Sequence, residues 1–268
     1  MFGKKAAERL ANRSILITGG SSGIGKAVAE TFASASNGQI KLILGARRQD
    51  RLTQLSDELK AKYPNIKIHH DFLDVTVKSS IAKFISNIPQ DFEPDCLLNN
   101  AGKALGRSEV GSITDEDISG MIETNITGLV NMTQAILPIF KKNNKGDIVN
   151  IGSVAGRMPY AQGSVYCGSK SFVSSFTGAL RRELISTQIR VIEVDPGAVN
   201  TEFSTVRFHG DKNQADATYE GQTPLVAEDI AEIIVFACTR KENTVIADTL
   251  VFPNGQASPI HHYRKPKE

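Results

Sequence analysis

The stretch Ser14-Ile15-Leu16-Ile17-Thr18-Gly19-Gly20-Ser21-Ser22-Gly23-Ile24-Gly25-Lys26-Ala27-Val28 leads from a short apolar run, through a glycine-rich turn, into a helical pattern. Glycine lets the backbone turn sharply and approach an anion, and the free N–H groups at a helix start add hydrogen bonds and partial positive charge. A strand, a turn suited to a phosphate or pyrophosphate, and a helix are therefore expected in that order. The same glycines also suit a purely structural strand-to-helix turn. Gly20 to Ala27 nearly matches the triphosphatase loop GxxxxGK[ST], but Ala27 lacks the hydroxyl that would bind Mg²⁺ and no acidic second motif stands out.

Outward from this turn, short apolar runs at 14–18, 40–46, 66–70, 95–98, 147–151, 189–194 and 249–252 alternate with helical patterns near 23–36, 49–62, 76–87, 115–142, 160–186 and 226–239. Such alternation builds βα units around a parallel sheet. No Gly/Ser/Pro linker and no internal repeat divides the 268 residues, so residues 1–268 are expected to form a single doubly wound α/β domain, a parallel seven-stranded sheet flanked by helices. Ligands then belong at the carboxyl ends of the strands, near the reversal of strand order. The polar segment 200–224 follows a strand end and is expected to form a substrate lid.

With 40% apolar and 22% charged residues the composition is that of a globular chain, and a net charge of +2 without charge blocks gives no reason to expect nucleic acid. Cys96, Cys167 and Cys238 lack metal-ligand spacing, so reduced thiols in a cytoplasmic compartment, and no metal, are expected. The N-terminal residues lack the apolar core of a secretory signal, and no window approaches a membrane span. The basic tail His261-His262-Tyr263-Arg264-Lys265-Pro266-Lys267-Glu268 reads as a solvated end.

About twenty residues past the glycine turn, a dinucleotide fold that prefers NAD usually presents an acid to the ribose hydroxyls. Here Arg47 and Arg48 stand in that place, and their forked guanidinium groups suit a ribose 2′-phosphate, pointing to NADP(H). Tyr166 and Lys170, four apart in a helical pattern, project from one face. An ammonium close to a phenol lowers the phenol pKa from about 10, so Tyr166 is expected to exchange a proton with a carbonyl or alcohol oxygen. Ser153, just past a strand, is placed to hold that oxygen. Asn125 is a poor helix former inside a long helix, and a water relay to Lys170 would account for it.

Thr18-Gly19-x-x-x-Gly23-x-Gly25, Asp74, Asn99-Asn100-Ala101-Gly102, Asn125, Ser153, Tyr166-x-x-x-Lys170 and Pro196-Gly197-x-x-x-Thr201 occur in this order over nearly the whole chain. The ordered set resembles the short-chain dehydrogenase/reductase family. That resemblance implies a Rossmann domain with strand order 3-2-1-4-5-6-7 and an Asn125, Ser153, Tyr166, Lys170 tetrad. It assigns Tyr166 the acid/base role, Lys170 the nicotinamide ribose and Asn125 the proton relay. It also assigns cofactor contacts to Gly19, Ser21, Ser22, Gly23, Ile24, Gly25, Asp74, Val75, Asn100, Ala101, Gly102, Pro196, Gly197, Val199 and Thr201. Some NADP-preferring relatives carry a basic residue in the glycine turn, so here the phosphate assignment rests on Arg47 and Arg48.

The run Thr201-Glu-Phe-Ser-x-Val-Arg207-Phe-x-Gly210-Asp with Tyr219 is similar to the subgroup acting on serine, allo-threonine and other 3-hydroxy acids, such as 3-hydroxyisobutyrate. A general ketone or aldehyde reductase and a non-catalytic NADPH sensor remain alternatives. A carboxylate substrate requires a cation or amide donors, with Arg207 and Arg157 as candidates and Met158 and Tyr160 as pocket walls. His209 reads as a surface residue. The patterns 115–142 and 160–186 carry more apolar positions than one buried stripe requires, and the family resemblance implies a homotetramer.

Overall fold

The computed structural model describes residues 3–266, so Met1, Phe2, Lys267 and Glu268 of the terminal segments lie outside the described residues. In chain order the elements are α1 (Gly3–Leu10), β1 (Ser14–Thr18), α2 (Gly23–Ala35), β2 (Lys41–Ala46), α3 (Gln49–Lys62), β3 (Lys67–Phe72), α4 (Lys78–Ser86) and β4 (Cys96–Asn99). Then come α5 (Asp115–Ile122), a π-helical turn (Glu123–Gly128), α6 (Leu129–Asn143), β5 (Gly146–Ile151), α7 (Val154–Arg157) and α8 (Ser164–Glu183). β6 (Ile189–Pro196), α9 (Glu202–Arg207), α10 (Lys212–Tyr219), α11 (Ala227–Cys238) and β7 (Asp248–Val251) complete the order.

The strands form one sheet in the order β3-β2-β1-β4-β5-β6-β7, each neighbouring pair parallel. Alternation along each strand divides the core between the two faces. Ile15 and Ile17 of β1 pack with Val28 and Phe32 of α2, Leu52 of α3 and Ile234 of α11. Leu16, between them, faces Phe84 of α4, Met132 and Phe140 of α6 and Leu180 of α8. Because β1 pairs with β2 on one side and β4 on the other, the strand order reverses there, opening a crevice at the carboxyl ends.

The α/β sheet and its strand order match the sequence expectation, and four local features differ. The pattern 115–142 is broken by the π-helical turn at Glu123–Gly128, where Thr124, Asn125, Thr127 and Gly128 are all weak helix formers. The pattern 160–186 becomes helical only at Ser164, after Gln162 with φ 63°. Segment 200–224 contains two helices, α9 capped by the Thr201 hydroxyl and α10 capped by the Asp211 carboxylate. The charged N-terminus also forms α1, with Ala6 and Leu10 buried. Among the described residues no helix is long and apolar enough to cross a membrane, and all three cysteines are free and buried.

Candidate active site

A cleft of about 890 Å³ runs along the carboxyl ends of the strands. One half is built mainly from backbone. Gly19 has φ +69°, and a Cβ there would lie 3.0 Å from the Asn100 side chain and 3.1 Å from Ala101 Cα, so only glycine fits without displacement. Asn100 in turn donates from its side chain to Thr18 O at 2.9 Å, while its N–H donates to the Thr18 hydroxyl at 3.1 Å. The first turn of α2 has no acidic residue and Ser22 makes no side-chain cap bond, so its N–H groups lack that capping partner. Ser21, Ser22, Gly23, Ile24, Val75, Ala101 and Gly102 all line this half, as do Pro196, Gly197, Val199 and Thr201. Gly25 is buried behind the lining. Lys26, the cation of the triphosphatase alternative, is 3.7 Å from both Glu30 and Glu58 and is absent from the cleft wall.

Arg47 and Arg48 stand at one end of the cleft. Arg48 donates to the Ser22 hydroxyl at 2.6 Å and to Glu202 at 2.8 Å, and Arg51 donates to the same carboxylate at 2.6 Å. Hydrogen bonds from Arg48 and then Arg51 hold Glu202 below the usual carboxylate range. Asp74 also lines the cleft. Its carboxylate accepts the Thr76 N–H and hydroxyl, and these bonds outweigh burial to keep its pKa low.

In the middle of the cleft, Ser153 stands two residues past β5 and caps α7, accepting the Ala155 N–H at 3.1 Å. Tyr166 and Lys170 project from the first two turns of α8, both buried. Lys170 Nζ donates to Ile151 O at 2.8 Å and lies 6.0 Å from the Tyr166 ring centroid. Burial pushes the phenol up to about 12, and the groups opposing it are Arg207 and the Ser153 hydroxyl. Burial lowers Lys170 to about 8, against Asp195 and Glu193, which hold it up.

Asn125 lies in the π-helical turn, which accounts for a poor helix former at that position. Its Oδ1 accepts the Lys103 N–H at 2.9 Å, and its amide donates to Lys103 O at 2.8 Å and to Ser169 at 3.0 Å. It thus ties the loop after β4 to the residue preceding Lys170.

The other half of the cleft is made of long side chains. Arg207 donates to the Tyr160 hydroxyl at 3.1 Å, and its guanidinium carbon lies 5.1 Å from the Tyr166 ring centroid. Its buried Nε has no partner. Arg157 and Met158, expected beside the substrate, do not line the cleft. Arg157 instead turns to the buried Asp195, with Nε–Oδ2 2.7 Å, and to the exposed Asp248, two carboxylates that outcompete the cleft for its guanidinium. Met158 is half exposed outside the lining. His209 lies at the surface, 3.3 Å from Asp117.

Several cleft residues carried no motif signal: Arg107, Gln256, Ile260, His262 and Arg264. The tail is not simply a solvated end, since Arg264 donates to Glu220 O at 2.6 Å and the Lys265 N–H to Gly221 O at 2.8 Å, fastening it to the end of α10. Its cluster of His262, Tyr263, Arg264 and Lys265 was the available hint. Among the described residues, the one group with metal-ligand proximity is Cys96, Asp147 and Cys238, at the opposite edge of the sheet, where Arg13 and Arg190 already hold Asp147.

The sequence model for short chain dehydrogenases matches residues 13–212. The chain is 52% identical over 258 residues to an NADP-dependent 3-hydroxy acid dehydrogenase of Schizosaccharomyces pombe, covering 96% of this chain and 98% of that one. It is 42% identical over 245 residues to sulfoacetaldehyde reductase 2 of Chromohalobacter salexigens, covering 91% and 95%. Its fold is similar to a closed form of serine dehydrogenase complexed with NADP+, with TM-score 0.86, 37% identity and coverage of 94% and 99%.

Proposed function

The chain belongs to the short chain dehydrogenase family, and from that membership we propose that it interconverts small 3-hydroxy acids and their 3-oxo partners using NADP(H). The observation that carries the substrate class is the unpartnered, buried Nε of Arg207, on a guanidinium set above the Tyr166 ring. A buried donor without a partner is costly, and an anionic group on the substrate would satisfy it. L-Serine, L-allo-threonine and 3-hydroxyisobutyrate are substrates of the right form.

The residues fit the cofactor. The glycine turn and open start of α2 suit the pyrophosphate, and Arg47 and Arg48 suit the 2′-phosphate. The arm through Asp74, Val75 and Asn100 to Gly102 takes the adenosine, and Pro196 to Thr201 the nicotinamide side. NADP(H), when bound, supplies or accepts the hydride. Ser153 holds the substrate oxygen, and Tyr166 gives it a proton in reduction or removes one in oxidation. With its pKa pushed up by burial, Tyr166 enters the free enzyme as the neutral phenol, the form needed for donation. Lys170 holds the nicotinamide ribose and, through water at Asn125, replenishes the proton. Tyr160 braces Arg207, and segment 200–224 acts as the lid that carries Arg207 over the substrate.

A sulfonate-bearing aldehyde is a second candidate, because a guanidinium fork accepts sulfonate oxygens as readily as carboxylate ones and a 42% identical relative is named for such a substrate. Rates on the three hydroxy acids, sulfoacetaldehyde and uncharged ketones should be compared for wild type and Arg207→Ala. Selective loss on the anionic compounds is expected. Equal loss on all would favour a general carbonyl reductase, and cofactor binding without turnover on any would favour a sensor. The cytoplasm and a homotetramer complete the proposal, the latter supported by the half-buried stacked pair Phe172 and Phe176 on α8 and tested by light scattering.

A further inference from the structure

Beneath the Ser153 turn lies a group of charged side chains that the reaction as described leaves unused. Asp195, on β6, is completely buried. Its Oδ1 accepts the Ser153 N–H at 2.9 Å, and its Oδ2 lies 2.6 Å from Arg157 Nη2. Space was cleared for it, because a Cβ on Gly152 would come within 1.8 Å of Asp195 Oδ1. Two residues earlier on the same strand, Glu193 is also buried and receives the Ser174 hydroxyl from α8. A second carboxylate beside the first cannot ionise without cost, and burial first and then Asp195 push Glu193 up to about 7, so below that pH it keeps its proton and donates it toward Asp195, and above it its charge joins that of Asp195 beside Lys170. The groups facing Asp195 are thus Glu193 from β6, Arg157 from the end of α7, Asp248 from β7 and Lys170 from α8.

We infer that Asp195 is a positioning residue for the reaction: it fixes the main chain of Ser153 and supplies the negative charge that keeps buried Lys170 protonated, with Arg157 and Glu193 holding its carboxylate in place. The inference rests on the proposed roles of Ser153 and Lys170. A lysine buried this fully loses its proton easily unless an anion accompanies it. Asp195 meets that need without touching substrate or cofactor.

The test is Asp195→Asn, which retains an oxygen for the Ser153 N–H but removes the charge. kcat/KM for NADPH reports the free enzyme, and in the wild type it should fall as pH rises through about 8, where Lys170 loses its proton. In Asp195→Asn that alkaline limb should move to lower pH by about one unit, with kcat at pH 7 down about tenfold and the fluorescence-measured Kd for NADPH at pH 6 within about threefold of wild type. Should the single variant not fold, Asp195→Asn/Arg157→Gln replaces the buried ion pair by a neutral hydrogen-bonded one and should show the same downward limb. A wild-type limb and kcat in a folded variant overturns the inference, and loss of fold in both variants overturns it too by assigning Asp195 to stability. Tyr166→Phe measured alongside separates the two levels: if it stays active the catalytic reading fails, whereas if it is inert beside a wild-type limb in Asp195→Asn only this inference fails.

Discussion

The two halves of the cleft are made of different material. The cofactor half presents backbone and glycine at the ends of β1 and β4, held by register, with Ile17 opposite both Leu44 and Leu98. The substrate half presents the ends of long side chains, Tyr160, Phe203, Arg207 and Arg264, drawn from segments up to 104 residues apart. Backbone geometry resists side-chain change except where a Cβ intrudes, as at Gly19. Side-chain geometry changes with each substitution. On the proposed assignment, the first half fixes the cofactor and the second is free to choose the partner of the reaction.

Substitutions can break or sharpen this contrast. Tyr166→Phe acts where the halves meet and should have the largest effect, lowering kcat by about 10²–10⁴-fold while the fluorescence-measured Kd for NADPH stays near wild type. Arg207→Ala should lower kcat/KM for anionic substrates about tenfold to a hundredfold, the worth of a charged hydrogen bond or two, and leave uncharged ketones within about threefold. Arg47→Ala/Arg48→Ala should raise KM for NADP about tenfold relative to NAD in parallel assays; equal changes would remove the 2′-phosphate from this end of the cleft. Glu202→Gln should have the smallest effect. Its bonds to Arg48 and Arg51 are half exposed, so freeing Arg48 should lower KM for NADP by about threefold or less.

The fold was legible because hydrophobic runs and glycine punctuation are local signals: the strand at 14–18 and the turn after it can be read without knowing what they pack against. Seven strands and their order followed from such signals and a family pattern. The substrate half was less legible for the opposite reason. Arg157 follows the serine turn as closely as a substrate ligand would, yet Asp195 and Asp248, distant in sequence, draw it out of the cleft. Beside Tyr166, Arg207 joins Lys170: its guanidinium carbon lies 5.1 Å from the ring centroid and Lys170 Nζ 6.0 Å, and spacing links only Lys170 to the tyrosine. The tail's role depends on reaching Glu220 and Gly221, and no periodicity announces that contact.

The π-helical turn at Glu123–Gly128 carries one more residue than an α-helical path would need. Removing a single residue there should let the rod run through as an unbroken α-helix, and because the wide turn had absorbed that residue, Met132, Ile136 and Phe140 would keep the core face they fill. What would be lost is the placement of Asn125 within the turn, and with it the bonds to Lys103 and Ser169. The wide coil thus adds a residue to the rod without disturbing the phase of its continuation against the sheet.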